Sequence, residues 1–179
     1  TDFVQPRYYR SPEVILGQSY GPQIDIWSAG ATLFELACGR FLFTGATNNG
    51  MIHDMLKVCG AFPRKVATSG DFAARHFTAD GDFRQEAAAA GGAETLLPMS
   101  TFPKELSSCK TVLQSLETSL KTPPTGVDAA VHQALIRQLA DLIGRCVDVR
   151  QAERIIPDQA LEHKFLQKGA LTVAATKPA

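Results

Sequence analysis

The sequence QIDIWSAGATLFELAC, from Gln23 to Cys38, decides the fold of this chain. Apolar residues occur on nearly every face of the helix that this stretch would form, which is typical of a helix surrounded by protein. Gly39 follows directly, and glycine is the residue type that most often ends a helix. The sequence therefore predicts one long central helix with the rest of the chain packed around it.

One acidic residue, Asp25, lies within this apolar stretch, beside Ile24 and close to Trp27. An ionised carboxylate in such surroundings is costly unless backbone amides or a cation satisfy it. Two interpretations are open at this point. Asp25 is either an ordinary helix-start carboxylate favoured by the helix dipole, or a buried residue that anchors a particular neighbouring segment.

Composition and charge exclude several classes of protein. The 179 residues are 45% apolar and 20% charged, which is ordinary for one soluble globular domain. Since 18 basic residues cancel 18 acidic ones, the surface is not built to neutralise many phosphates, and no direct nucleic-acid partner is expected. No apolar run approaches the roughly 20 residues of a membrane-spanning helix. We therefore expect a soluble, intracellular protein without a membrane partner.

The cysteines and histidines do not form a pattern that binds metal. The cysteines are Cys38, Cys59, Cys109 and Cys146, and the histidines are His53, His76, His132 and His163. None of them has the C-x-x-C or H-x-x-x-H spacing that brings two ligands together. We therefore expect buried thiols and no metal site.

Two motifs lie at the start of the central helix and just before it. The upstream motif is Val4-Gln5-Pro6-Arg7-Tyr8-Tyr9-Arg10-Ser11-Pro12-Glu13, and the helix itself contains Asp25-Ile26-Trp27-Ser28-Ala29-Gly30. The tripeptide S-P-E resembles the A-P-E that closes the activation segment of protein kinases, with Ser in place of Ala. Because R-x-Y-R precedes it and D-x-W-S-x-G follows it, the series resembles the branch of cyclin-dependent, mitogen-activated and dual-specificity kinases.

Further motifs narrow this resemblance. In order along the chain they are Thr47-Asn48-Asn49, Gly60-Ala61-Phe62-Pro63-Arg64-Lys65, Gly70-Asp71-Phe72, His76-Phe77 and Met99-Ser100-Thr101. The series is similar to that of the spliceosomal pre-mRNA-processing factor kinases and covers about residues 3–168. It is weakest over residues 84–97, where EAAAAGGAE is typical of a variable loop. The resemblance implies protein substrates that are splicing factors, and a nuclear location.

The resemblance also implies a fold. The chain is expected to be mainly α, as the C-terminal helical lobe of a eukaryotic protein-kinase fold with an irregular insert. The partial kinase domain is expected over residues 1–168, and residues 169–179 are expected to form a disordered tail. The N-terminal lobe and the catalytic loop are expected to precede Thr1, outside this chain.

Local patterns add detail to this fold. Near the C-terminus, helical spacing predicts an amphipathic helix with Asp128 as its N-cap. Its apolar positions are Val131, Leu135, Leu139, Leu142, Ile143 and Cys146. Pro157 is expected in the first turn of the last helix, and Asp80-Gly81 predicts the turn of a short hairpin.

The insert, residues 64–108, has two interpretations that are weighed evenly. The resemblance implies that it binds docking proteins, together with neighbouring positions from Phe41 onward. The alternative is that its phenylalanines pack in the core. The insert contains Phe72, Phe77, Phe83 and Phe102, and Phe62 stands just before it.

The resemblance assigns four residues as structural anchors. Glu13 is expected to form an ion pair with Arg154, which ties the end of the activation segment to the late helices. Asp25 is expected to accept hydrogen bonds from the backbone of the catalytic loop, which would satisfy a buried carboxylate. Trp27 belongs to the same motif and is expected to anchor the lobe core.

Five residues are assigned by resemblance to the activation segment and the substrate pocket, namely Val4, Gln5, Pro6, Arg7 and Arg10. Arg10 matches the arginine that turns toward a modified tyrosine in this kinase branch. The tyrosine's own position is Phe3 here, which cannot be phosphorylated. Pro6 replaces the Ser or Thr whose hydroxyl contacts the catalytic residues of active kinases, so that contact is either dispensable or activity is weakened.

The motifs that carry out phosphoryl transfer do not occur in this sequence. They are a glycine-rich loop, a strand lysine, H-R-D with its asparagine, and D-F-G. Asp71-Phe72-Ala73 and Asp82-Phe83-Arg84 lie downstream of S-P-E, whereas the magnesium motif precedes it, so we interpret both as turns. We expect no catalytic, cofactor-binding or metal-binding residue in this chain, which alone is expected to be inactive. ATP and Mg are expected to bind the full-length parent.

The sequence supports a C-terminal part of a protein serine/threonine kinase, in which this half provides the substrate platform and the lobe core. The alternative is a pseudokinase or a truncated lobe that binds partners without catalysis, and Phe3 and Pro6 motivate it. A helical domain without kinase ancestry fits the composition but leaves the ordered motif series unexplained.

Overall fold

The computed structural model describes residues 4–87, 92–104 and 108–167. Its helices are α1 (Pro12–Leu16), α2 (Gln23–Cys38), α3 (Asn48–Cys59), α4 (Arg64–Ala67), α5 (Ser108–Ser119), α6 (Ala129–Cys146) and α7 (Pro157–Leu161), with short 3-10 helices at Arg7–Tyr9, Ala73–Arg75 and Met99–Thr101. The strands are β1 (Phe83–Gln85) and β2 (Thr95–Leu97). The fold is mainly α, as predicted. Phe3 and the predicted tail, residues 169–179, lie outside the described residues.

The central helix α2 has the predicted bounds. Gly39 ends it in the left-handed conformation, with φ of 67°, and donates its N–H to the carbonyl of Glu35 at 2.8 Å. Trp27 and Phe34 are fully buried on its inner side. At Gly30 a Cβ would lie 2.5 Å from the Cβ of Cys146, so the absence of a side chain lets α6 approach α2 closely.

One face of α2 is exposed, which corrects the prediction of a helix enclosed on nearly every side. Asp25, Ala29, Thr32 and Leu36 are all exposed, and Leu36 is 77% exposed. Their spacing of three and four residues places them along a single stripe. The stripe combines the polar Asp25 and Thr32 with the apolar Ala29 and Leu36, and the sequence pattern did not show which face of the helix the chain itself covers.

Helix α6 packs against both α2 and α5. Asp128 is its N-cap as predicted, because its Oδ1 accepts from the amides of Ala130 and Val131 at 2.9 and 3.1 Å. The predicted core positions Leu139, Leu142, Ile143 and Cys146 are buried. Val131 is wrong as a core position, since it is 45% exposed, and Leu135 is only half-buried. The buried stripe begins instead at His132 and Ile136, and the prediction missed it because a histidine stands on the apolar face.

Pro157 is the first residue of α7, as predicted from its fixed φ and missing N–H. Within the described ranges, no helix is both long and apolar enough to cross a membrane.

The insert packs into the main core through its phenylalanines. Phe77, Phe83 and Phe102 are at most 7% exposed and belong to the same cluster as Trp27, which stacks on Phe43 at 5.4 Å between ring centroids. Phe62, just before the insert, is also buried, whereas Phe72 is half-buried. The packing interpretation therefore holds for four of these five rings.

The predicted hairpin at Asp80-Gly81 is present only as a turn. Gly81 has a φ of 95°, and the chain reverses so that Phe77 and Phe83 form a single antiparallel bridge. The longer ladder joins β1 to β2, with Phe83 opposite Leu97. A glycine turn marks a reversal of the chain, but it does not determine how far the pairing extends beyond it.

Side chains of the motif Thr47-Asn48-Asn49 attach this sheet to α3. The Thr47 hydroxyl donates to the Glu86 carboxylate at 3.0 Å. The buried amide nitrogen of Asn49 donates to the Arg84 carbonyl at 2.7 Å and to Nδ1 of His76 at 3.2 Å. Since His76 accepts this bond, it is the neutral tautomer with its proton on Nε2.

We expect the stability of this region to depend on pH through His76. Burial lowers the pKa of His76, because the charged imidazole is poorly solvated there. The unfolded chain therefore binds the proton more readily, so the stabilisation is complete above about pH 6.5 and is lost as the pH falls toward the lower folded pKa. The urea concentration at the unfolding midpoint should thus be lower at pH 5.5 than at pH 7.5.

The variant His76→Gln provides the comparison, since its side chain stays neutral at both pH values. It should be less stable at pH 7.5, and its midpoint should change less between the two pH values than that of the wild type. Burial also lowers the pKa of His53, which accounts for a residual dependence. Equal pH dependence in both proteins would contradict the assignment to His76.

Candidate functional site

The sequence-predicted pocket residues lie on one segment, residues 4–10, which we call the platform segment. The side chains of Val4, Pro6 and Arg7 are exposed, whereas those of Gln5 and Arg10 are buried. The segment includes the 3-10 helix Arg7–Tyr9 and contacts the first two turns of α2. Since Tyr8 is exposed as well, four side chains of the segment are exposed and two are directed into the protein.

The side chain of Gln5 makes three hydrogen bonds. It is 6% exposed, and its Nε2 donates to the Ile24 carbonyl at 2.9 Å and to the Ser28 hydroxyl at 2.6 Å. Its Oε1 accepts from the amide of Ser11 at 3.0 Å. The side chain thus joins the platform segment to α2 and to the start of α1, rather than lining a pocket. Nothing in the sequence distinguishes a glutamine of this kind from a solvent-exposed one.

Arg10 is 8% exposed and joins the platform segment to α3. Its Nε and one terminal nitrogen donate to the Gln5 carbonyl at 3.2 and 2.9 Å. The other terminal nitrogen donates to Oδ1 of Asn48 at 2.8 Å. Arg10 therefore has partners within the folded protein itself. The position of the expected tyrosine, Phe3, lies outside the described residues.

Sequence reasoning missed an aromatic cluster beside this segment. Tyr8 stacks on Phe41 with 4.5 Å between ring centroids, and Tyr9 meets the same ring edge-on at 6.1 Å. The Tyr9 hydroxyl donates to the Glu35 carboxylate at 2.5 Å, and this hydrogen bond raises the pKa of Tyr9. The only signal in the sequence was the adjacent tyrosine pair, which does not reveal a partner some 30 residues away.

Glu13 and Arg154 form the predicted ion pair, and both side chains are almost completely buried. Two parallel hydrogen bonds join them, at 2.6 and 2.9 Å. Arg154 also donates to the carbonyls of Gln23 and Asp148 at 2.8 and 3.0 Å, and its guanidinium lies 5.1 Å from the centroid of Trp27. The pair thus connects α1, the start of α2 and the loop that follows α6.

Asp25 is not buried by the residues that the structure describes. It stands in the first turn of α2, and its side chain is exposed. A carboxylate at this position interacts favourably with the positive end of the helix dipole. The described residues fit a helix-start carboxylate, and the hydrogen bonds expected from the catalytic loop stay a prediction.

Of the two D-F sequences of the insert, Asp71-Phe72-Ala73 begins in a turn, as predicted, whereas Phe83 and Arg84 lie in β1, so the turn interpretation is wrong for Asp82-Phe83-Arg84. The amides of Asp71 and Phe72 donate to the carbonyls of Gly17 and Leu16 at 3.2 and 2.9 Å. The carboxylate of Asp82 accepts from the amide of Met99 at 3.4 Å. Across the part of the chain that the structure describes, no group of three or more His, Cys, Asp or Glu side chains is arranged to hold a metal ion.

Comparisons with known proteins agree on one family. Residues 1–166 match the family described as the protein kinase domain. Serine/threonine-protein kinase prp4 of Schizosaccharomyces pombe is 36% identical over 170 residues, covering 94% of this chain and 33% of the relative. Serine/threonine-protein kinase prpf4B of Dictyostelium discoideum is 33% identical over 168 residues, covering 93% of this chain and 20% of the relative.

A third relative is named as a dual specificity kinase and not as a serine/threonine-protein kinase. Dual specificity tyrosine-phosphorylation-regulated kinase 2 of Drosophila melanogaster is 32% identical over 168 residues, covering 94% of this chain and 20% of the relative. The chain therefore spans between a fifth and a third of the length of these curated relatives.

We expect the ion pair to be the most sensitive electrostatic contact of the site. The substitution Arg154→Met should lower the free energy of unfolding by about 3–5 kcal/mol, because it leaves the Glu13 carboxylate buried without a partner. Urea unfolding followed by circular dichroism measures the loss. The control is Asp80→Asn, which breaks an ion pair to Arg64 whose side chains are 70% and 89% exposed. That loss should stay within about 1 kcal/mol, and similar losses in the two variants would contradict the prediction.

Proposed function

This chain belongs to the protein kinase domain family, and we propose that the full-length protein is a serine/threonine kinase that transfers phosphate from ATP to protein substrates. The observation that carries the proposal is the buried pair between Glu13 of the S-P-E motif and Arg154, which fixes the end of an activation segment against a helical lobe. The kinase names of the relatives support the same activity.

The proposed division of labour follows from what phosphoryl transfer requires. Catalysis in this class depends on positioning the acceptor hydroxyl and on stabilising charge at the transferred group. ATP and Mg would be bound by residues that precede Thr1 in the full-length protein. Residues 4–10 would position the protein substrate, through the exposed side chains of Val4, Pro6 and Arg7.

We further propose that the substrates are splicing factors and that the protein acts in the nucleus. The series of motifs from Thr47-Asn48-Asn49 to Met99-Ser100-Thr101 supports this assignment, as does the similarity to prp4 and prpf4B. The phenylalanines of the insert lie largely in the core and are not available to a partner. Docking proteins would therefore bind the insert at exposed side chains such as Leu96, which is 52% exposed.

The exposed stripe of α2 also has a proposed role. Leu36 and the Asp25 carboxylate lie on it together. In the full-length protein, the backbone amides of the catalytic loop would donate to Asp25, and neighbouring chain would cover the apolar part of the stripe. Burial of Leu36 would then contribute about 1.5–3 kcal/mol to the association of the two parts.

The role of Asp25 predicts a loss of activity in Asp25→Asn. An amide side chain has no charge and presents N–H groups toward the loop amides, so hydrogen bonds worth about 1.5–3 kcal/mol would be lost, or roughly 10- to 100-fold in kcat. The control is Asp71→Asn, an exposed position in the insert, which should leave kcat unchanged. Equal activity of the two variants in the full-length protein would refute the role.

The proposed activity is tested with full-length protein, ATP and Mg on a Ser-Arg-rich peptide. We expect phosphate on serine or threonine, and no transfer once the aspartate of the upstream catalytic loop is replaced by asparagine. Transfer that persists in this variant would point to a contaminating kinase. Absence of transfer in the wild type, on this peptide and on a generic basic protein, would refute the proposal.

A second candidate function is a lobe that binds partners without catalysis. Pro6 favours it, because proline offers no hydroxyl and no N–H at a position where active serine/threonine kinases usually have Ser or Thr. The two candidates differ in the assay above. A protein that binds the Ser-Arg-rich peptide but transfers no phosphate to it fits only this second function.

A further inference from the structure

The hydrogen bonds that order the platform segment come from the folded protein itself. The Gln5 side chain makes three of them and the Arg10 guanidinium three more. Four of them join the segment to α2, to α3 and to the start of α1, and the other two run from Arg10 to the Gln5 carbonyl within the segment. We call these six bonds the Gln5–Arg10 network.

Burial makes this network cooperative. Gln5 and Arg10 are 6% and 8% exposed, so water does not readily replace a broken bond. The Gln5 carbonyl accepts twice from Arg10, while the Gln5 side chain binds Ile24 and Ser28. Displacing Gln5 from α2 would therefore also displace the acceptor on which Arg10 depends.

The backbone of the segment is restricted in advance. Pro6 has φ of −57° and ψ of 143°, and its ring permits little variation in φ. Its carbonyl accepts from the amide of Tyr9 at 3.1 Å, and the Tyr9 carbonyl accepts from the Ser28 hydroxyl at 3.0 Å. A proline in a conformation that it favours reduces the entropy lost when the segment becomes ordered.

These contacts can be compared with a phosphate switch. A phosphorylated side chain typically orders a loop through about one to three new charge-assisted hydrogen bonds. Four hydrogen bonds already join this segment to the rest of the protein and two more lie within it, and position 3 carries a phenylalanine without a hydroxyl. We propose that Gln5 is a positioning residue whose network holds the platform segment ready for the protein substrate without phosphorylation of the activation segment. This inference rests on the proposed kinase function.

The first experiment measures kinetics of the full-length protein after exhaustive phosphatase treatment, with the Ser-Arg-rich peptide as substrate. Treated wild type should keep its kcat/KM within about twofold. The variant Gln5→Met, which has a similar volume but no amide, should raise the KM for the peptide about tenfold or more and leave the KM for ATP unchanged. General destabilisation would not separate the two KM values in this way.

The control is Gln114→Met on the exposed surface of α5, which should leave both KM values unchanged. The proposal is overturned if phosphatase treatment lowers kcat/KM more than tenfold. It is also overturned if Gln5→Met and Gln114→Met behave alike.

Hydrogen exchange separates this inference from the proposed function. In dephosphorylated wild type, the bonded amides of Tyr9 and Arg10 should exchange slowly, and in Gln5→Met they should exchange at least tenfold faster. Protection in a wild type that transfers no phosphate would refute the kinase proposal and retain the network. Rapid exchange of these amides in the wild type would refute the network, whatever the activity.

Discussion

The buried pair of Glu13 and Arg154 joins two positions 141 residues apart in the sequence. Removing both charges from water is expensive, and the cost is recovered only when the geometry is good and the remaining donors are satisfied. Both conditions hold here, because two short hydrogen bonds join the pair and Arg154 also donates to Gln23 and Asp148. The pair can therefore form only once α1, α2 and the loop after α6 are all in place, and it makes their folding interdependent.

The platform segment depends on this pair through α1. Glu13 lies in the first turn of α1. Ser11 is the N-cap of the same helix, and its amide donates to the side chain of Gln5. Fixing α1 against Arg154 therefore fixes one of the three partners of Gln5, while α2 supplies the others. A surface near the start of the chain is thus positioned by residues near its end.

Periodicity predicted the elements of this fold but not what covers them. The bounds of α2, the cap at Asp128 and the first residue of α7 follow from local rules of helix formation, and the structure confirms them. Val131 was wrong as a core position because exposure depends on distant parts of the chain, which spacing does not encode. For the same reason the bonds of Gln5 and Asn49 could not be foreseen, and the partner of Glu13 was identified only through a family resemblance.

Two adjacent residues of α3 show how the insert is connected to the platform segment. Asn48 accepts from Arg10, and Asn49 donates to Arg84 on β1 and to His76. Both asparagines stand in the first turn of α3, where a rigid helix gives them little independent movement. A shift of the sheet relative to α3 would therefore first displace the first turn of α3, whose Asn48 binds Arg10. The insert is part of the support of the platform segment, and its phenylalanines share the core in which Trp27 lies beneath Arg154.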